Sequence, residues 1–286
     1  AEGETGSPGE SPGVLGCRHR ADGSRATTAR DRLHSEAMRK HWKLILGIIA
    51  AVIVAIGVAG YVWLTDLVDP MPEAEAALVS DELVRVETSP WLTFTPAEPT
   101  GTGFILYPGG RVPAEAYAPP ARAIAEAGYL SVVPSMPLGL AMLAPDTADG
   151  IVEANPQIER WVIGGHSVGG VMAAGYASDH DAVNGLVLWA AYPADGTDLA
   201  AQALAVTSVY ATEDGLVSID DIDASRTQLP SATTYVEIAG GNHAQFGWYG
   251  EQNGDGVATI SREEQQAQVV ATTLELLAQV EASRPS

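Results

Sequence analysis

The chain has 286 residues, 46% of them hydrophobic and 18% charged, so it is long enough for a substantial core and too apolar to be disordered throughout. A formal net charge of −21 excludes the basic face that a nucleic-acid binder needs to meet phosphate. The charge is unevenly spread: residues 1–43 carry eight basic and six acidic side chains, including both lysines, whereas residues 44–286 carry seven basic and thirty acidic ones.

Residues 1–43 read as a disordered cytoplasmic tail, because residues 1–37 are rich in Gly, Ser, Pro, Thr and Arg and show no apolar period. Met38-Arg39-Lys40 resembles a translation start, which makes the first 37 residues an over-extended reading frame or a tail without a fold. The single cysteine, Cys17, lies in this tail, so the remainder has no thiol nucleophile and no disulfide. Leu44–Leu64 holds no charged residue and is as long as the ~20 residues a helix needs to cross a bilayer. Trp42 precedes the run and Tyr61 and Trp63 close it, as interface anchors do. Arg39, Lys40 and Lys43 lie before it, and Asp66, Asp69, Glu73 and Glu75 after it. The positive-inside rule then places the N-terminus in the cytoplasm and the chain after residue 64 outside. The rival is a cleaved signal peptide and a secreted domain, but the run exceeds the usual 7–15-residue apolar region and no clear cleavage site follows. Gly47, Ala51, Ala55 and Ala59 recur every four residues, a spacing that lets two helices dimerise closely and that also arises by chance in an Ala-rich run.

Residues 65–82 are acidic, carry two prolines and read as a linker. The domain proper is expected over residues 83–282. Leu83–Thr88 and Trp91–Thr95 read as paired strands around a Ser89-Pro90 turn. Strand-like runs follow at Gly103–Tyr107, Leu130–Pro134, Arg160–Gly165, Gly185–Ala191, Val206–Ala211 and Ala232–Ile238. Between them, Ala114–Ala127, an Ala/Leu/Met-rich stretch after Pro134 and Val168 to about Ser178 read as helices. Ser261–Val280 reads as a last helix, with Ser261 and Glu264 as a capping box. Strands alternating with helices predict an α/β fold with a mostly parallel sheet covered on both faces.

Gly165-His166-Ser167-Val168-Gly169 is a G-x-S-x-G between a strand and a helix. Such a serine sits on a sharp, strained turn, where side chains two residues before and after it would collide, so both are glycine. The N–H of Val168 then faces the reacting centre and can stabilise an oxyanion. A serine needs a base. His19, His34 and His41 lie before or beside the apolar run; His166 adjoins the serine, so its side chain is expected to point elsewhere; His180 follows the helix in a polar, exposed stretch. That leaves His243, in a loop after a strand. Asp214 lies after a strand between Ser167 and His243 and is favoured to orient the imidazole, with Glu213, then Asp220 and Asp221, as rivals. The turn Tyr107-Pro108-Gly109-Gly110-Arg111 offers a second oxyanion amide from Gly109, Gly110 or Arg111, and the sequence leaves the choice open.

These motifs (YPGG at 107–110, GGHSVGG at 164–170, EDG at 213–215 and GGNHAQFG at 240–247) resemble the α/β-hydrolase superfamily in its dienelactone hydrolase-like branch over about residues 83–280. The resemblance implies an eight-stranded, mostly parallel sheet and hydrolysis through an acyl-enzyme, with no cofactor. Dienelactone hydrolases use a cysteine where this chain has Ser167, so a serine esterase acting on a small-molecule or lipid ester is the better inference. An acyltransferase with the same triad and an inert surface binding module are the alternatives. About fourteen residues, Tyr192 to Ala205, separate two strands where lipases of this fold insert a cap, so no large cap fits. Met136, Leu138, Leu140, Met142 and Leu143 are candidates for an apolar wall, and Trp248 and Tyr249 for residues overhanging the site. Glu251–Gly256 resembles a calcium loop only loosely: the twelfth position is Arg262, and no metal site is expected.

Overall fold

A computed structural model describes residues 24–65 and 67–283. The chain forms two compact units, the second beginning at Tyr61. A single helix, α1, runs over Ser24–Thr65, most of it in the first unit. Residues 24–43, expected to lack structure, are therefore helical. Ala26, Ala29, Arg30, Arg32, Glu36, Met38 and Lys40 are good helix formers, so a helix nucleated in the apolar run propagates toward the N-terminus. Its stretch His34–Val62 is long and apolar enough to cross a membrane, and none of it is buried within the protein. Cys17 and the rest of the first 23 residues lie outside the described residues.

In the second unit, the segment expected as a linker is docked rather than free. Met71 N–H bonds to Trp248 O at 2.9 Å, Pro70 bridges to Tyr249, and a short helix, α2 (Pro72–Ala76), follows. Pro72 suits the first helical position, where no N–H is needed, and the small side chains Ala74 and Ala77 are buried on the domain.

The sheet has eight strands: β1 (Val84–Glu87), β2 (Leu92–Pro96), β3 (Thr102–Tyr107), β4 (Leu130–Val133), β5 (Arg160–His166), β6 (Val183–Trp189), β7 (Ala205–Ala211) and β8 (Thr234–Ile238). Their order is β1-β2-β4-β3-β5-β6-β7-β8; the β1–β2 and β2–β4 pairs are antiparallel and the others parallel. Alternate residues face two separate cores. Phe104, Leu106, Val162, Val187 and Trp189 pack with α3 (Ala118–Glu126) and the long last helix. Ile105, Tyr107, Ile163, Leu186 and Leu188 pack with α4 (Thr147–Ala154) and α5 (Val168–Asp179). Such two-sided burial is why the central strands read as continuous apolar runs. The helix after β3 begins as a 3₁₀ turn over Ala114–Tyr117. The Ala/Leu/Met stretch forms two 3₁₀ turns, Pro137–Gly139 and Ala141–Leu143, before α4, because Pro137 and the positive φ at Leu138 and Gly139 break a regular helix. A further helix, α6 (Ile219–Ser225), is capped by a reciprocal Ser218–Asp221 box. The last one, α7 (Arg262–Ala282), carries the expected Ser261–Glu264 box. Nothing helical intervenes between β6 and β7 among the described residues, so the sheet carries no cap there.

Because residues 67–80 contribute buried surface, a fragment starting at Asp81 is expected to melt roughly 4–8 °C below one starting at Leu67, corresponding to about 2 kcal/mol. Thermal scans of the two fragments by circular dichroism check this; equal midpoints mean the segment is a free linker after all.

Candidate active site

Ser167 stands between the end of β5 and the start of α5 with φ 53° and ψ −126°, a left-sided conformation that costs a side-chain-bearing residue about 1–3 kcal/mol. The turn is possible because its neighbours lack side chains. A Cβ on Gly165 would lie 2.3 Å from the carbonyl carbon of Gly169, and one on Gly169 would lie 2.2 Å from Tyr107 O. Ser167 N–H bonds to Trp189 O at 2.9 Å, which pins the turn to β6.

The structure brings Asp214 and His243 together. Asp214 follows β7, and its Oδ1 accepts the N–H groups of Leu216 and Val217, both at 2.8 Å. Its Oδ2 lies 2.8 Å from His243 Nδ1. A carboxylate only accepts, so Nδ1 carries the proton and Nε2 presents its lone pair. Both side chains are buried, with His243 0% and Asp214 1% exposed. His243 Nε2 is buried without a hydrogen-bond partner among the described residues. The rivals are placed elsewhere. Glu213 Oε1 accepts from Thr212 Oγ1, Asp220 lies in the first turn of α6, and Asp221 is occupied in the helix cap.

The three candidate oxyanion amides are not equivalent. Gly109 N–H donates to the Tyr117 hydroxyl at 2.9 Å, and Arg111 N–H donates to Gly139 O at 2.7 Å. Among the described residues, Gly110 N–H is left without an acceptor. Val168 N–H, the first of α5, has no intrahelical acceptor. Gly110 and Val168 are neighbours: a Cβ on Gly110 would lie 3.5 Å from Val168 Cγ2.

His166 corrects an expectation. Its side chain does not turn away; it is buried with its ring centroid 4.5 Å from that of His243, and it stacks on Phe246. Strand parity places it there, since His166 shares a face of β5 with Val162, the face toward α3 and α7 from which the His243 loop arrives. His166 Nδ1 lies 2.8 Å from the Tyr117 hydroxyl. Gly109 N–H donates to the same oxygen, so the Tyr117 hydroxyl joins the turn after β3 to His166. Burial first, then the neighbouring His243, holds His166 well below the ordinary histidine value, so it is neutral; burial raises the Tyr117 phenol. His180 is likewise less exposed than expected, stacked on Tyr176 with its Nδ1 2.9 Å from Tyr176 O.

Trp248 and Tyr249 are both buried: Tyr249 lies beside His166 and lines the cleft next to Gly110, whereas Trp248 packs between Pro119, Pro120 and α7. Of the proposed apolar wall, Met136 is buried, Leu140 reaches Gly110, and Leu138, Met142 and Leu143 are exposed. A cleft of about 640 Å³ opens beside Gly110, lined by Leu67, Val68, Arg111, Tyr249 and Glu251 among others. The sequence offered no sign that residues 67–69 would form one of its walls.

The site thus offers a half-buried serine on a strained turn, two neighbouring residues with uncommitted amides, and an imidazole held by a carboxylate. The chain belongs to the alpha/beta hydrolase family, whose sequence profile matches residues 103–267. Among solved structures it is similar to a predicted CIB-like hydrolase from Thermoplasma acidophilum, at 16% identity and a TM-score of 0.51, covering 67% of this chain and 98% of that one. It is also similar to a protein of unknown function from Agrobacterium tumefaciens, at 12% identity and a TM-score of 0.52, covering 68% and 96%. At these identities the likeness shows the fold alone. No curated protein sequence matches significantly.

Native His166 is neutral, whereas in the unfolded chain it titrates near 6.5, so below that pH the unfolded state binds the extra proton and stability falls as pH falls. The cost approaches ~1.4 kcal/mol for each pH unit well below 6.5. Denaturant titrations from pH 7.5 to 5 are expected to show the wild type losing stability faster than His166→Gln. Parallel curves would mean that native His166 takes up the proton.

Proposed function

We propose that this chain is a serine hydrolase of carboxylic esters, working through Ser167, His243 and Asp214 and held at a membrane by α1. The observation that carries the reading is the buried 2.8 Å contact of His243 Nδ1 with Asp214, in a fold whose G-x-S-x-G turn holds Ser167 with φ 53°. Ser167 Oγ attacks the ester carbonyl while His243 Nε2 takes its proton. The carbonyl oxygen becomes an oxyanion held by the N–H groups of Val168 and Gly110. Collapse expels the alcohol, which takes the proton back from His243 and leaves an acyl-serine. Water then repeats the sequence and frees the acid. Asp214 stays ionised throughout, fixing the tautomer and balancing the imidazolium. Ser167 is not hydrogen-bonded to Nε2 in the free protein, and sites of this kind often tighten that contact only around substrate. Gly109 and Arg111 are not proposed as donors, because their N–H groups are committed to Tyr117 and Gly139.

The membrane reading is supported by the length of the apolar stretch His34–Val62 and by the basic residues Arg39, Lys40 and Lys43 before the uncharged run, against Asp69, Glu73 and Glu75 beyond it. It puts the N-terminus in the cytoplasm and the hydrolase unit outside.

Ser167→Ala is expected to lower p-nitrophenyl ester turnover by at least ~10⁴-fold and to abolish fluorophosphonate labelling, with the fold retained by circular dichroism. Labelling that persists in this variant identifies another nucleophile. The full chain is expected to resist carbonate extraction from membranes and to be digested by protease added outside intact cells. A shortened, soluble product would instead indicate a cleaved signal peptide.

A further inference from the structure

We propose that Asp255 is a positioning residue of this site: its carboxylate latches the Asp214 loop to the His243 loop and so sets the contact between them. The proposal rests on the Ser–Asp–His reading above. The two loops leave the ends of β7 and β8, adjacent parallel strands, and beyond the sheet their register is no longer fixed by the strand ladder. Two backbone bonds carry it a little further, Thr212 N–H to Ile238 O at 3.1 Å and Glu213 N–H to Gly241 O at 2.9 Å. Past them, the Asp255 carboxylate takes over. Its Oδ1 accepts from Gly215 N–H at 3.1 Å, from His243 N–H at 3.1 Å and from its neighbour Gly256 N–H at 2.8 Å; its Oδ2 accepts from Ala244 N–H at 2.8 Å. One donor is on the Asp214 loop and two are on the His243 loop. Hydrogen bonds to a carboxylate acceptor are the stronger kind, and here three converge on Oδ1 and one on Oδ2.

The fit around the latch is tight. A Cβ on Gly215 would lie 2.3 Å from Gly254 O, and one on Gly256 would lie 1.9 Å from Glu213 O, so segments 213–215 and 254–256 touch backbone to backbone. Asn242 braces the far side, its Nδ2 donating to Gly256 O at 2.8 Å. Gln265 of α7 in turn holds Asn242, accepting its N–H at 2.9 Å and donating to its carbonyl at 2.8 Å. Asp255 bonds main-chain amides only and none of the reacting atoms, so it acts through where it holds His243. Glutamate would push the carboxylate one methylene too far into this interlock, and asparagine would keep one acceptor oxygen while setting its amide against Ala244 N–H.

The test uses the full chain in detergent, with Asp255→Ala and Asp255→Asn, read by steady-state kinetics, thermal melting and proton NMR. Because misplacing a catalytic group by about 1 Å can cost ~100-fold, Asp255→Ala is expected to lower kcat by ~100-fold with KM within about threefold, and Asp255→Asn by ~10-fold. The low-field Nδ1 proton resonance of His243 is expected to weaken or vanish in the alanine variant and to persist in asparagine. In the wild type, the amides of Gly215, His243 and Ala244 are expected to exchange slowly and together, although Gly215 is exposed. A folded alanine variant with wild-type kcat and an intact resonance overturns the proposal, as does a loss of kcat that merely tracks the folded fraction. If neither variant folds, the wild-type amides decide, and free-loop exchange at Gly215 overturns it. Failure of the triad itself is read separately, from an active Ser167→Ala.

Discussion

The closeness of α5 to the sheet is the constraint on which the site depends. Helix and strand approach so nearly that backbone meets backbone: Gly169 lies against the carbonyls of Tyr107 and Pro108, Gly170 against the carbonyl of Gly165, and Gly165 against the first turn of the helix. Any Cβ at those points would push α5 outward and relax Ser167 from φ 53° toward an ordinary conformation. The strain at Ser167 is therefore held by surrounding packing, with the Ser167–Trp189 backbone bond fixing its direction. The same approach carries the end of β3 up to the helix N-terminus, which is why Gly110 comes to lie beside Val168. One steric fact thus sets the hydroxyl and both unsatisfied amides at once.

The side of the site that holds the imidazole is organised on another principle. Asp214 and His243 sit on loops, where no ladder of strand bonds reaches, and loops are the more mobile part of a fold. Here carboxylates substitute for the ladder by accepting main-chain amides. Asp214 Oδ1 closes its own loop through Leu216 and Val217 before Oδ2 meets His243. On the proposed reading, a carboxylate already fixed in this way loses little freedom when the imidazole becomes charged, so the geometry is prepared in advance.

Between these two halves runs a buried relay of polar groups: Gly109 N–H to the Tyr117 hydroxyl, and that hydroxyl to His166 Nδ1, with the His166 ring against His243. The relay ties the turn after β3 to the imidazole that faces it. It also removes Gly109 from the set of free amides and so singles out Gly110. The neutrality of His166 matters for the reading of His243 as base, because a cationic ring 4.5 Å away would oppose the imidazolium that this reading requires.

What the sequence made legible follows from this division. The eight strands and the Ser167 turn were readable because apolar runs, glycine spacing and caps act on the chain's own backbone, as at Gly165, Gly169 and the Ser261–Glu264 box. The pairing of His243 with Asp214 was readable by elimination and order, since few residues of the right kind lie after strands. The rest depends on partners far away in sequence. Choosing among Gly109, Gly110 and Arg111 requires knowing that Tyr117 and Gly139 arrive to bond two of them. Asp255 looked only like a poor calcium ligand, because its role exists only when two other loops converge on it. His166 is the instructive case. Adjacency to Ser167 suggested that it faced away, yet the alternation that puts Val162 and His166 on one face of β5 was present in the sequence. That face leads to α7, whose preceding loop carries His243.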